Sequence, residues 1–192
     1  MFNNVIEMYG RVLSQVRQHI PNAVLVGGCL RDTFYGVEVK DLDFVVQMGD
    51  AADPNLAHPE LYPLSPASRW LREIWPDKQW QYSNALVAYN NDGAVMRDVI
   101  KSRDETVNFI IVTDIPAYTN SFPDSISKLV FDGEQIHYAN EWMVGHNTFH
   151  VFYRPNIGNV RLEKLQRKYP EWVFQRDRVE EEPQQQELAI EW

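Results

Sequence analysis

The segment from Gly27 to Asp43 places two kinds of chemistry close together. Asp41 and Asp43 are separated by one leucine, so in an extended strand both carboxylates point to the same face. Two carboxylates about 7 Å apart on one face repel each other, and are tolerated in water or around a cation. Mg2+ (or Mn2+) takes oxygen ligands of this kind and is often shared between a few carboxylates and substrate phosphates. Upstream, Gly27 and Gly28 end the apolar run of residues 23–26. Backbone without side chains can approach a phosphate closely, and a helix that starts there presents N–H groups and the positive end of its dipole. Arg31 falls in the first turn of that helix, placed to contact phosphate or to pair with Asp32. A phosphate cradle beside a metal clamp fits one reaction class, the transfer of a nucleotide from a nucleoside triphosphate.

The same stretch, GGCLRDTFYGVEVKDLDFVV, resembles the G-G-x-x-R-D…K-D-x-D signature of the polymerase-beta-like nucleotidyltransferase superfamily, in the branch with the head domain of CCA-adding enzymes and bacterial poly(A) polymerases. Gly27, Gly28, Arg31, Asp32, Gly36, Lys40, Asp41 and Asp43 carry the match. The resemblance implies that Asp41 and Asp43 bind the divalent metal and act in catalysis. It implies that Gly27 and Gly28 form the triphosphate-binding turn. Arg31, Asp32 and Lys40 are candidate nucleotide-binding residues, with Arg31 and Asp32 alternatively a bridge that holds the turn rigid and Lys40 alternatively a solvated surface lysine. Small stand-alone nucleotidyltransferases of tailed bacteriophages look similar overall. Two departures stand out. The R-R-D-F-T-I-N-A type motif of CCA-adding enzymes has no copy here, only SFPDSISKLVFDG at residues 121–133, and no long helical RNA-binding body follows. Where many members place a third carboxylate in a V-D-x-I pattern, this chain reads Val107-Asn108-Phe109-Ile110, which leaves Asp98 or Glu105 as alternatives.

These residues need elements to hold them. Val5, Met8, Val12, Val16 and Ile20 recur at steps of three and four, predicting a helix over residues 1–20 that Pro21 ends. Residues 23–28 read as a buried strand and tight turn, 29–36 as a short helix closed by Gly36, and 41–48 as a second strand. Residues 49–68 hold four prolines and read as loop, followed by a helix over 67–75. Strands at 85–90 and 94–102, joined by an Asn-Asp-Gly turn, and at 105–114 are expected next. A helix start near Pro123, a hairpin about Asp132-Gly133 and irregular structure to Phe149 follow, then a helix over 159–172 with a basic face. The expected fold class is a mixed α/β (α+β) nucleotidyltransferase fold, with helices flanking a mixed sheet. The expected single domain runs over 1–175, with an acidic, Gln-rich, flexible tail at 176–192.

The bulk composition sets limits. Of 192 residues, 44% are hydrophobic and 23% charged, the balance of a chain that buries a core. No apolar run approaches bilayer length and no secretion signal opens the chain, which predicts a cytoplasmic protein (host cytoplasm, if phage-encoded) without a membrane partner. Net charge is −9, against a broad phosphate-binding face, but seven of the acids lie in 171–192, so a local basic groove remains open. Arg161, Lys164, Arg167 and Lys168 read as a solvated helix face or as an RNA or phosphate contact. Trp70, Trp75 and Trp80 read as core and groove packing rather than base-stacking surfaces. The single Cys29 reads as a small packed residue.

The leading expectation is metal-dependent transfer of a nucleoside monophosphate from an NTP to a hydroxyl of an RNA 3′ end, a protein or a small molecule, with release of pyrophosphate. The alternative is a catalytically weak nucleotidyltransferase-fold protein that binds nucleotide or RNA, or inhibits. Neither oligomeric state nor pathway follows from the residues.

Overall fold

A computed structural model describes residues 1–47, 69–84 and 96–177. The expected loop at 49–68, the strand at 85–90 with its turn, and the tail from 178 onward lie outside the described residues. The chain runs α1 (Asn3–Arg17), β1 (Val24–Val26), α2 (Gly28–Phe34), β2 (Leu42–Gln47), α3 (Arg69–Ile74), β3 (Trp80–Asn84), β4 (Met96–Ser102), β5 (Val107–Val112) and α4 (Ile115–Asn120). A 3-10 turn at Ser125–Ser127 leads to β6 (Leu129–Phe131), β7 (Ile136–Tyr138), α5 (Asn140–Thr148), β8 (His150–Tyr153), α6 (Asn159–Lys168) and β9 (Val173–Arg176).

Among the described residues, seven strands form one mixed sheet in the order β3-β4-β5-β2-β1-β6-β7. Only β2 and β5 run parallel, while the other neighbours are antiparallel. β8 and β9 form a separate parallel pair. Both faces of the sheet are covered. Leu25, Phe44, Val46, Phe109 and Ile111 pack against α1, α3 and Trp142 on one face. Val24, Val26, Val45, Ile110 and Val112 pack near Tyr118 on the other. The three tryptophans Trp70, Trp75 and Trp80 gather around Phe109.

Some expected elements shift. The buried stripe of α1 is Val5, Tyr9, Leu13 and Val16, and Met8 is exposed. Both stripes fit a helical period, and the Tyr9 hydroxyl settles the choice by bonding Thr33 Oγ1 at 2.7 Å. Residues 140–148, expected to be irregular, form helix α5. Its fully buried Trp142 sits among Phe2, Phe34 and His146, so packing overrides the weak local preference of Val144 and Thr148. Gly145 permits this helix to meet β8: a Cβ there would lie 2.5 Å from the His150 carbonyl oxygen. The helix expected over 159–172 stops at Lys168, and β9 follows. α4 has a cap that sequence reading passed over, Asp114 accepting from the Ala117 amide, with proline in the first turn.

Candidate active site

The antiparallel register of β1 and β2 pairs Val26 with Asp43. The chain therefore turns through Gly27 and Gly28 beside the strand end where Asp41 and Asp43 stand. Gly27 has φ +75°, a conformation that L side chains rarely adopt, and a Cβ there would come 3.2 Å from the Phe122 ring. Its amide donates to the Leu129 carbonyl at 3.0 Å, which fixes the turn to β6, and its own carbonyl receives the Arg31 amide. Cys29, one residue past the turn, is buried behind the carboxylates. Burial, then the Asp43 charge, push its thiol up and keep it protonated.

Asp43 shares the face of Val45, opposite Phe44. The parallel register sets it against Asn108 on β5, whose Nδ2 donates to Asp43 Oδ1 at 2.8 Å. Burial, and then the charge of Asp41, raise the Asp43 carboxyl to about 6, while Asn108, Arg161 and Lys164 pull it down. Asp41 lies just before the strand, with Lys40 Nζ 4.0 Å from its Oδ2 and the Lys40 side chain 58% exposed. Glu105 turns away to Lys101 at 2.9 Å, and the Asp98 side chain lies outside the described residues. No group of three or more His, Cys, Asp or Glu converges among the described residues.

A raised carboxyl binds its proton more tightly in the folded than in the unfolded chain. Asp43 therefore contributes stability that is fully present below the unfolded value near 3.8 and is lost as pH rises through about 6. Asp43→Asn removes that dependence and keeps an acceptor for Asn108. Without added metal, the variant is expected to be more stable than the parent at pH 8, by on the order of 2 kcal/mol, and no more stable at pH 4. Urea unfolding at the two pH values measures it. Equal midpoints at pH 8 would show that Asp43 carries no such strain.

Arg31 and Asp32 bridge one another and are held from behind. Arg31 is 5% exposed, and all three guanidinium nitrogens are engaged. Nε donates to Asp32 Oδ1 at 2.6 Å and to the Tyr169 hydroxyl at 3.1 Å, one Nη reaches Ser127 Oγ at 2.7 Å, and the other lies 2.6 Å from Asp32 Oδ1. Tyr169 OH in turn donates to Asp32 Oδ1 at 2.7 Å, and Lys168 Nζ donates to Asp32 Oδ2 and to the Glu38 carbonyl. Burial works against the Arg31 charge, but Asp32, Tyr169 and Asp124 outweigh it and hold the guanidinium above its ordinary value.

Helix α6 supplies the part of the site that local sequence did not place. Arg161, Lys164 and Lys168, at steps of three and four, share one helix face. That face reaches the buried carboxylates of Asp124 and Asp32, so it is not simply solvated, though the Arg161 side chain stays 44% exposed. Arg161 donates from two nitrogens to Asp124 Oδ2, at 2.8 and 3.0 Å, and Asp124 is 1% exposed. Asp124 Oδ1 accepts from the Ser127 amide. Lys164 is half-buried, and burial, with Lys168, Lys40 and Arg31 nearby, lowers its ammonium against the opposing pull of Asp41. Arg167 instead bends back to the Glu163 carbonyl. Ser127, Asp124 and Tyr169 escaped sequence reading; Asp124 lies within SFPDSISKLVFDG, with no spacing to mark it.

No protein-family model matches the sequence, and no curated protein matches it either. Solved structures do share its shape. One is a tRNA-processing enzyme in an apo form, at TM-score 0.52 and 15% identity over 93% of this chain and 45% of that one. Another is a CCA-adding enzyme of Thermotoga maritima complexed with tRNA, at TM-score 0.51 and 13% identity over 92% of this chain and 40% of that one. At these identities the likeness is one of fold. This chain spans less than half the length of either structure.

Proposed function

We propose that this chain, whose fold is nucleotidyltransferase-like at the superfamily level, moves a nucleoside monophosphate from a nucleoside triphosphate to an acceptor hydroxyl. One observation carries the reading: Asp41 and Asp43 stand together beside the Gly27–Gly28 turn, and Asp43 is pushed up by burial and by its neighbour's charge. Two crowded carboxylates are a site for a hard divalent cation, and their oxygen donors suit Mg2+ or Mn2+. When bound there, such an ion would neutralise charge on the triphosphate and favour attack at its α-phosphorus.

The chain's own groups do the rest. Asp41 and Asp43 hold the cation, with Asn108 fixing the orientation of Asp43. Gly27 and Gly28 bring backbone to the triphosphate, and Lys40 adds a cation beside Asp41. Arg31 and Asp32 act here as the brace that holds the turn against α6. The acceptor oxygen bonds to the α-phosphorus, the bond from that phosphorus to the α–β bridging oxygen breaks, and pyrophosphate leaves with the electron pair. The acceptor proton passes to solvent. An RNA end is the acceptor favoured by the solved structures' descriptions, a tRNA-processing enzyme and a CCA-adding enzyme; a protein or small-molecule hydroxyl is chemically equivalent at the phosphorus.

Asn108 favours a second reading, in which nucleotide binds but is transferred slowly, because an uncharged amide stands next to Asp43. Nucleotide binding tests what the two readings share. Each NTP at 1 mM with Mg2+ is expected to raise stability by about 2.7 kcal/mol if Kd is near 10 μM. Absence of any nucleotide- or metal-dependent stabilisation removes both. Labelled NTP incubated with cellular RNA and protein then separates transfer from binding alone.

A further inference from the structure

We propose that Lys164 of helix α6 is the residue that grips the polyphosphate of the donor nucleotide, a role that rests on the nucleotidyl-transfer reading above. The sequence offers Arg31 either as a phosphate contact or as the partner of Asp32, and the structure makes it the partner. Its three nitrogens are already taken by Asp32, Tyr169 and Ser127, and it is almost wholly buried. A cation for the phosphates has to come from another element. α6 is pinned at two points of one face. Arg161 is fixed on Asp124, and Lys168 on Asp32 and the Glu38 carbonyl.

Lys164 sits between those two anchors on the same face. It is half-buried, yet it makes no hydrogen bond or ion pair among the described residues. Removing part of an ammonium's water without giving it a partner costs stability, and such an arrangement is kept where a ligand completes it. Its surroundings define the ligand's charge. Lys40, Lys168 and Arg31 crowd it with like charge, and the carboxylates of Asp41 and Asp43 oppose them. Once Asp41 and Asp43 hold a divalent ion, the carboxylates no longer balance these cations. A polyphosphate carries more negative charge than one divalent ion cancels, and the surplus falls where Lys164 lies. A nucleoside or a single phosphate brings no such surplus. The expected consequence is selectivity for the length of the phosphate chain, with no dependence on the base.

The test measures thermal stabilisation of the full chain by inorganic tripolyphosphate, by inorganic phosphate and by each NTP, all with Mg2+. Lys164→Met is expected to melt at or above the parent's temperature when unliganded, because the desolvation cost of the ammonium is gone. It should bind tripolyphosphate and NTP at least about tenfold more weakly, with inorganic phosphate little affected. Lys164→Arg is expected to recover most of the binding. If the parent binds NTP and Lys164→Met binds it equally well, the role of Lys164 is overturned and the transfer reading stands. An equal loss for phosphate and tripolyphosphate also overturns it, because the effect would then be structural. If the parent binds no NTP, the transfer reading falls and this role with it.

Discussion

With Asp41 and Asp43 both changed to asparagine, nucleotide transfer is expected to fall by about a thousandfold or more, in a protein that still folds. The reason is charge rather than shape. Asparagine keeps the size of aspartate, and Asn108 can still donate to the Oδ1 at position 43, so the register of β2 against β5 is unaffected. What disappears is the pair of negative charges that would hold a divalent ion against the triphosphate. Removing even a single preorganised electrostatic contact at a reacting centre typically costs two to three orders of magnitude in rate. A second readout does not depend on knowing the acceptor. Mg2+-dependent stabilisation by NTP should vanish in the double variant, while its melting temperature without metal stays level or rises. Transfer at the parent's rate would show that the chemistry lies elsewhere in the molecule.

Asp32→Ala is expected to cost about 3–5 kcal/mol of folding stability, the price of leaving a buried charge without its partner. Arg31 would keep only the neutral Ser127 and Tyr169 hydroxyls, and Lys168 would lose its carboxylate. Removing both buried charges should be less harmful than removing one. Arg31→Met with Asp32→Ala is therefore expected to be more stable than Asp32→Ala alone, and the double-mutant cycle gives the coupling directly. Urea unfolding reads all four proteins. A loss below about 1 kcal/mol in the single variant would mean that the pair is solvated and the brace does not exist.

The residues that announced themselves in the sequence did so because their constraints are local. A double glycine after an apolar run, a charge pair in the next turn and two aspartates one residue apart each state a backbone or electrostatic need within a few positions. Alternation along β2 then sets Asp43 and Val45 on one face without any tertiary information. The partners of Arg31 and Asp32 are a different matter. Ser127 lies 96 positions from Arg31 and Tyr169 lies 138, and no periodicity links them. The inward face of α6 was visible as a run of basic residues, but whether it met solvent or buried carboxylates depended on Asp124 and Asp32 reaching it. Tyr9 displaced Met8 from the buried stripe of α1, with Val12 left partly buried against the core, because a hydroxyl 24 positions away, on Thr33, was there to meet the tyrosine. Helix α5 formed where local preference argued against it, because Trp142 had the rings of Phe2, Phe34 and Tyr138 to pack against.

The long span between Asp32 and the groups that cover it has a consequence for how the molecule is made. At translation speeds of about 5–20 residues per second, on the order of ten seconds pass between synthesis of Asp32 and of Tyr169. For most of that interval the nascent chain holds Asp41 and Asp43, while Arg31 and Asp32 have only each other. A chaperone or protease at the ribosome would meet the amino-terminal half of the molecule with its fastening helix still unmade.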